Sequence, residues 1–168
     1  MLHTERLTLA KLSFDDADFI FDLLNEPTFK RFIGDKGIRT TDDALQYLRD
    51  VPLRQYELHG FGLYRVDFGD QNIAAGICGL VSREEFPDPD LGFAFLNAYW
   101  GQGYAYESSL AVLAESRDKF SLRRIIAMAD EENVASIHLL DKLGFRFERM
   151  VTMPGETDSI RQYALEDW

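Results

Sequence analysis

The chain has 168 residues, which at about 150 residues per domain reads as one domain spanning 1–168, long enough to bury roughly 70% of the surface it exposes unfolded. Leu, Ile, Val and Phe together lie well above the roughly 20% below which disorder is expected, so the composition excludes a disordered chain. With 29 acidic against 18 basic residues the formal net charge is −11, which argues against non-specific nucleic-acid binding and a polybasic membrane anchor; a cationic substrate would suit that charge, and so would solubility alone.

Residues 6–12 alternate, with Leu7 and Leu9 on one side, and predict a first strand. Glu5 and Arg6 at its head leave no apolar core for a signal peptide. Ser13 with Asp16 predicts an N-cap, followed by Ala17, Ile20, Phe21 and Leu24 at amphipathic-helix spacing, with Pro27 marking the end. Residues 28–39 read as a loop or short helical turn. Thr40 with Asp43 opens a second helix carrying Ala44, Leu48 and Val51, broken near Pro52. Three strand candidates follow, 61–68, 72–83 and 90–96, separated by Gly69-Asp70 and Pro87-Asp88-Pro89 in the manner of a meander of hairpins. The longest apolar run, Ile73 to Val81, is half the length of a membrane span. It holds the one cysteine, Cys78, which has no His nearby and reads as a small buried hydrophobe rather than a nucleophile. A lone cysteine forms no internal disulfide, which fits a reducing cytoplasm.

A glycine-bearing loop, 99–105, then runs into a third long helix with Tyr106, Leu110, Leu113 and Phe120 on its inner face. Arg124–Ala129 reads as a short strand. Asn133 caps another helix with Ile137, Leu140 and Leu143 inward, and Gly144 followed by Phe145 makes a natural left-handed stop with its hydrophobic contact. Strands near 146–153 and 159–166 flank the turn Met153-Pro154-Gly155. His3, His59 and His138 lack metal-ligand spacing, so no metal is expected. The order of elements predicts a mixed α/β fold of α+β type with about seven strands and about four helices.

The stretch Trp100-Gly101-Gln102-Gly103-Tyr104-Ala105 joins a strand to a helix. Glycines let the backbone turn sharply and approach a ligand closely. The helix that follows starts with unpaired N–H groups and the positive end of its dipole, which together suit phosphate oxygens. On spacing alone, a tight turn that binds nothing is an equal reading. A nucleoside-triphosphate P-loop is disfavoured because no Gly-Lys-Ser/Thr follows, and a Rossmann site because the strands ahead look hairpin-linked.

Four pieces, in order along nearly the whole chain, carry a family resemblance. They are Thr4-Glu5-Arg6-Leu7-Thr8-Leu9; Asp90-Leu91-Gly92-Phe93 with Tyr99-Trp100-Gly101-Gln102-Gly103-Tyr104-Ala105-Tyr106-Glu107; Asn133-Val134-Ala135-Ser136-Ile137 running to Lys142-Leu143-Gly144-Phe145; and Tyr163-Ala164-Leu165 to Trp168. With these the chain resembles the GNAT superfamily of N-acetyltransferases, and within it the RimJ/RimL-type ribosomal-protein N-terminal acetyltransferases and their small-molecule-acetylating cousins. The resemblance implies a single GNAT-like domain on a mixed, mostly antiparallel central sheet, and direct transfer of an acetyl group from acetyl-CoA to an amine with no covalent enzyme intermediate. It puts the cofactor's pyrophosphate on the backbone N–H groups of Gly101, Gln102, Gly103, Tyr104 and Ala105. It lays the pantetheine arm along the preceding strand like an added strand, with Phe95 and Leu96 as backbone partners, and lets a strand N–H polarise the thioester carbonyl. Asn133 matches a position that touches the cofactor arm, and helix capping is an equally good employment for it. Trp100, where many superfamily members carry Gln or Arg, reads as a marker of the branch with a packing role. Leu9-Ala10 departs from the branch's usual Leu-Arg.

Aminolysis needs a neutral amine and a protonated leaving thiol. Deprotonating a free α-amine at pH 7 costs about 1 kcal/mol, and a lysine about 4.6. Asp90 matches an acidic position ahead of the family's strand motif and can act as a base through water; the competing reading is a solvated strand-end aspartate. Where much of the superfamily offers a tyrosine as acid, this chain has Leu140. Ser136 is the alcohol that RimJ/RimL-like relatives offer instead, and it is equally a good capping-region residue. Tyr104 and Tyr106 are fallback donors. The expected acceptor is a primary amine, a protein N-terminus or a small molecule, shaped by loops around 28–39 and 83–90, in a cytoplasmic monomer or homodimer that binds neither nucleic acid nor membrane. The alternative is a non-catalytic acyl-CoA-binding domain of the same fold.

Overall fold

In the computed structural model, which describes residues 1–69, 72–155 and 157–168, the alternating stretches become strands and the striped ones helices. In chain order they are β1 (Leu2–His3), β2 (Leu7–Lys11), α1 (Ala17–Asn25), α2 (Pro27–Phe32), α3 (Thr41–Leu48), α4 (Arg54–His59), β3 (Leu63–Phe68), β4 (Ile73–Val81), β5 (Asp90–Phe95), α5 (Tyr104–Phe120), β6 (Arg124–Ala129), α6 (Val134–Lys142), β7 (Arg146–Thr152) and β8 (Ser159–Glu166). The eight strands form one sheet in the order β1-β2-β3-β4-β5-β6-β8-β7. Every neighbouring pair is antiparallel except β5 with β6, and a parallel pair needs a crossover, which α5 supplies.

Helices cover both faces of the sheet. Under α5 and α6 lies one core, with Leu9, Val66, Leu91, Ile125, Leu140 and Phe145 buried in it. Under α1 and α3 lies the other, including Ile20, Leu24, Leu48, Leu63 and Ile77. A strand between two such layers is apolar on both sides, which is why Ala75–Leu80 within β4 is buried residue after residue and Cys78 with it. Among the described residues no helix is long and apolar enough to cross a membrane.

Local signals worked where the chemistry is local. Both capping boxes form, Ser13 with Asp16 ahead of α1 and Thr40 with Asp43 ahead of α3. At the end of α6, Gly144 sits at φ +95°, its N–H donates to Asp141 O and the Phe145 N–H to Leu140 O, each at 3.0 Å. That is the paired closure of a glycine-stopped helix. The β3-β4-β5 meander is present; of the Gly69-Asp70 break between β3 and β4, Asp70 lies outside the described residues.

The structure also corrects several expectations. Among the described residues the sheet has eight strands, in keeping with about seven, the extra one being two-residue β1, which pairs Leu2 with Leu9 and His3 with Thr8 and is too short to show alternation. The helical part is divided into six short α-helical segments. Pro27 ends α1 but also begins α2, where its missing N–H is no loss. Pro52 bends the second helix instead of breaking it: a wide turn over Arg49–Leu53 carries α3 into α4, and the wider ring relieves the clash of a proline with the carbonyl four residues back. The inner face of α5 is not the expected one, since Leu110 is exposed while Ser108, Ser109 and Ser116 are buried beside Val112 and Leu113. Two of those serines bond back to the helix, Ser108 Oγ to Tyr104 O at 2.8 Å and Ser116 Oγ to Val112 O at 2.6 Å, so a polar residue fills an inward position without an orphaned hydroxyl.

Candidate active site

The site begins where the only parallel pair among the described residues comes apart. β5 and β6 are in register only at Asp90 opposite Ile126, closed by the Ile126 N–H on Pro89 O at 3.0 Å. No further β5–β6 register follows among the described residues, and the unpaired stretch toward their C-terminal ends is the wedge. Asp90 is 4% exposed and takes a donor from Arg83 Nε at 2.9 Å, so it is not a solvated strand-end aspartate. Burial pushes its carboxyl above the ordinary range, against the opposing pull of Arg83 and the Met128 N–H.

Peptide groups alternate sides along a strand. On β5 the Leu96 N–H points to the β4 side and bonds Ala75 O at 3.0 Å, and Leu96 O takes the Tyr99 N–H at 2.9 Å. Leu96 is therefore a correction to the expected backbone partners, its main chain being engaged away from the wedge. Phe95 has the opposite parity, and two residues back so does Phe93. The Phe95 carbonyl already accepts the Trp100 indole N–H at 2.8 Å, which leaves the Phe95 N–H and the Phe93 peptide groups facing the wedge. Trp100 thus staples the following loop to the end of β5, with its ring half in solvent.

Because β5 and β6 are parallel, the loops after both lie at the open end of the wedge. After β5, a short turn at Asn97–Tyr99 leads through Gly101 (φ +73°) and Gly103 (φ +81°) into α5. Gly103 occupies the N-cap and offers no side chain, so the first amides of α5, from Tyr104 and Ala105, are uncapped by the chain. After β6, Asn133 Oδ1 accepts the Ser136 N–H at 3.1 Å and closes the start of α6. The half-buried Ser136 hydroxyl has no hydrogen-bond partner among the described residues. Leu140 is fully buried and has no proton to give.

Three arrangements escaped the sequence. Glu107, in the first turn of α5, accepts from Thr4 Oγ1 at 2.5 Å, from the Arg6 N–H at 2.9 Å and from Arg6 Nε at 2.7 Å. Arg6 Nη1 continues to Gln102 O at 2.9 Å. The Thr4-Glu5-Arg6 and Glu107 pieces, quoted from opposite parts of the chain, are one lock on the loop. Burial pushes Glu107 up, but these donors outweigh it and hold its carboxyl below the ordinary range. Secondly, the rings of Tyr104 and Tyr106 are both occupied by cations, Arg6 at 5.0 Å and Lys142 at 4.1 Å from the ring centres. In a chain of net charge −11 this puts two positive groups at the mouth of α5. Thirdly, α2 spans the open end of the wedge. Thr28 Oγ1 donates to Asn97 Oδ1 at 2.7 Å on the β5 side, and Arg31 reaches Glu132 at 3.2 Å on the β6 side. The stretch 28–39, read as a loop or short helical turn, includes this roof as the short helix α2.

A sheet parted beside an uncapped, glycine-led helix suits an extended ligand that pairs with a strand and ends in phosphate oxygens. The model of the Acetyltransferase (GNAT) domain matches residues 6–146, and the chain belongs to that family: it is an N-acetyltransferase, moving an acetyl group onto an amine. It is 28% identical over 154 residues to the uncharacterized N-acetyltransferase p20 of Bacillus licheniformis, spanning 89% of this chain and 84% of that one. Its fold superposes on RimL, a ribosomal L7/L12 alpha-N-protein acetyltransferase solved in complex with coenzyme A, with a TM-score of 0.82 at 16% identity over 97% of this chain and 95% of that one. It superposes equally on the spermidine N-acetyltransferase of Vibrio cholerae solved with CoA and spermine, with a TM-score of 0.80 at 17% identity over 97% and 96% of the two chains. At these identities the likeness is one of fold.

Proposed function

We propose that this chain is a cytoplasmic, RimJ/RimL-like acetyltransferase of one domain, residues 1–168, which takes its acetyl group from acetyl-CoA and gives it to a primary amine of low basicity. The observation that carries this is the wedge between β5 and β6 opening directly onto the uncapped start of α5. The amides of Gly101, Gln102, Gly103, Tyr104 and Ala105 hold the diphosphate, the backbone of Phe95 and Phe93 pairs with the pantetheine amides, and Asn133 touches the arm while it caps α6. A main-chain N–H of β5 is aimed at the thioester oxygen, where a fixed donor acts most strongly as negative charge builds.

In the reaction the amine nitrogen bonds the acetyl carbon and the C–S bond breaks. Asp90 draws the amine's proton away through water, since its carboxylate sits about 10 Å of strand from Phe93. Ser136 donates a hydrogen bond to the leaving sulfur, which departs as a thiol once the relayed proton reaches it. Both groups are modest: Asp90 is tied to Arg83, and a hydroxyl is a weak acid. Such a site suits an amine that is easily deprotonated. An α-amine needs about 1 kcal/mol at pH 7 where a lysine needs about 4.6, which favours peptide N-termini and weakly basic small amines.

The test mixes the protein with acetyl-CoA and a panel of amines and follows the released thiol. Peptides with a free N-terminus should turn over faster near pH 7 than Nα-blocked peptides bearing only lysine. A panel showing no release above background hydrolysis would sink the proposal.

A further inference from the structure

Arg6 lies far from the loop in sequence, yet it is bound to the loop's main chain. Its Nη1 donates to Gln102 O, while Nε and Nη2 grip one Glu107 oxygen at 2.7 and 2.6 Å. Its backbone N–H and Thr4 Oγ1 hold the other oxygen. Glu107 neutralises the guanidinium, so the effect of Arg6 on the loop is directional more than electrostatic. A trans peptide is planar with its C=O and N–H pointing opposite ways. Drawing Gln102 O toward Arg6 therefore turns the Gly103 N–H away from Arg6. Turning this peptide over changes ψ of Gln102 and φ of Gly103, and Gly103, at φ +81°, has no side chain to restrict its φ. Nothing in the local chain stops the Gln102–Gly103 peptide from turning over, which would present a carbonyl oxygen in place of an amide.

We propose that Arg6 is a positioning residue for the acetyl donor: held by Glu107, it fixes the Gln102–Gly103 peptide so that the Gly103 N–H faces the diphosphate. This rests on the assignment of the loop to the diphosphate. The fork is what matters, because one end must hold Glu107 while the other reaches Gln102 O. A lysine keeps the charge and loses the second contact.

The experiment compares Arg6→Met and Arg6→Lys with wild type, using acetyl-CoA and S-acetylpantetheine, which has the same thioester but no diphosphate. With acetyl-CoA, kcat/KM should fall about tenfold to a hundredfold in both variants, carried by KM with little change in kcat. With S-acetylpantetheine both should stay within about twofold of wild type. Equal losses with both donors would make Arg6 a structural residue and overturn the proposal, as would full acetyl-CoA activity in Arg6→Lys. Glu107→Gln gives a second route should Arg6→Met fold poorly, since it keeps an acceptor for Thr4 and weakens the hold on Arg6. It should show the same donor dependence, and its absence would count against the lock. If wild type itself showed no preference for acetyl-CoA over S-acetylpantetheine, the assignment of the loop to the diphosphate would fail, a result separate from any of these.

Discussion

Two helices begin at the mouth of the wedge and they begin differently. α6 closes its own first turn through Asn133, as the turn ahead of α1 and the start of α3 do through Ser13 and Thr40. α5, the longest helix, starts from a left-handed glycine with no side chain to offer. Glycine in place of a capping side chain costs only a few tenths of a kcal/mol, and in this position the amides left over are the ones a bound anion can use. The difference separates a helix start built for stability from one left open for a ligand, and substitutions at the two should fail in different ways.

The largest effect is expected at the open start. Gly103→Val forces a branched side chain into φ +81° with its Cβ about 3.3 Å from Arg6 Nη2. Acetyl-CoA affinity should fall by at least about a hundredfold, with the circular dichroism of the fold retained; an unchanged Kd by calorimetry would close the case against the open start. Next come the two groups that handle protons. Ser136→Ala should lower kcat about tenfold at constant KM, and because the cap uses the Ser136 backbone N–H, its melting temperature should hardly move. Asp90→Asn should lower kcat similarly and shift the acid limb of the pH–rate profile. Its stability carries a sign of its own. The folded Asp90 carboxyl titrates above its ordinary value, so its charged form opposes folding at neutral pH, and that opposition fades as the pH falls through the folded value and is gone below the unfolded one. Asp90→Asn should therefore melt above wild type at pH 7.5, with the gap narrowing toward pH 4. A variant that melts lower at both would show that the Arg83 pair outweighs burial.

At the closed start, Asn133→Ala should cost about 1 kcal/mol, or roughly 2–4 °C, and affect acetyl-CoA binding far less than Gly103→Val. Loss of donor binding on the scale of Gly103→Val would erase the distinction between the two helix starts. The smallest effect belongs to the roof. Arg31→Ala removes an exposed pair worth at most about 1 kcal/mol, so the melting temperature should stay put while KM for the amine changes and KM for acetyl-CoA does not.

Much of this was legible in the chain because its causes are local. Ser13 with Asp16, Thr40 with Asp43, Gly144 with Phe145 and the Gly101–Gly103 loop each act within a few residues, and each lies where pattern and resemblance put it. What escaped depends on distant partners. The wedge depends on how far β5 and β6 stay paired, and they are in register only at Asp90 opposite Ile126. The Arg6–Glu107 lock joins residues 101 apart. The serine face of α5 defeats a hydrophobic stripe because Ser108 and Ser116 bond their own helix and Ser109 meets Cys78 Sγ on β4. Pro52 reads as a stop because the sequence does not show the wide turn that accommodates it. The resemblance implies Phe95 and Leu96 together as backbone partners, and strand parity, visible only once Ala75 is seen to hold the Leu96 amide, sets the two apart.

One contact described above also makes the molecule easy to watch. The chain has two tryptophans: Trp168 is tied by its indole to Leu113 O at 3.4 Å, within α5, and Trp100 stands half in water at the wedge entrance, tethered to Phe95 O. Filling that entrance changes the surroundings of only one of them, so titrating donor against unlabelled protein gives an intrinsic emission signal that a Trp100→Phe variant would silence.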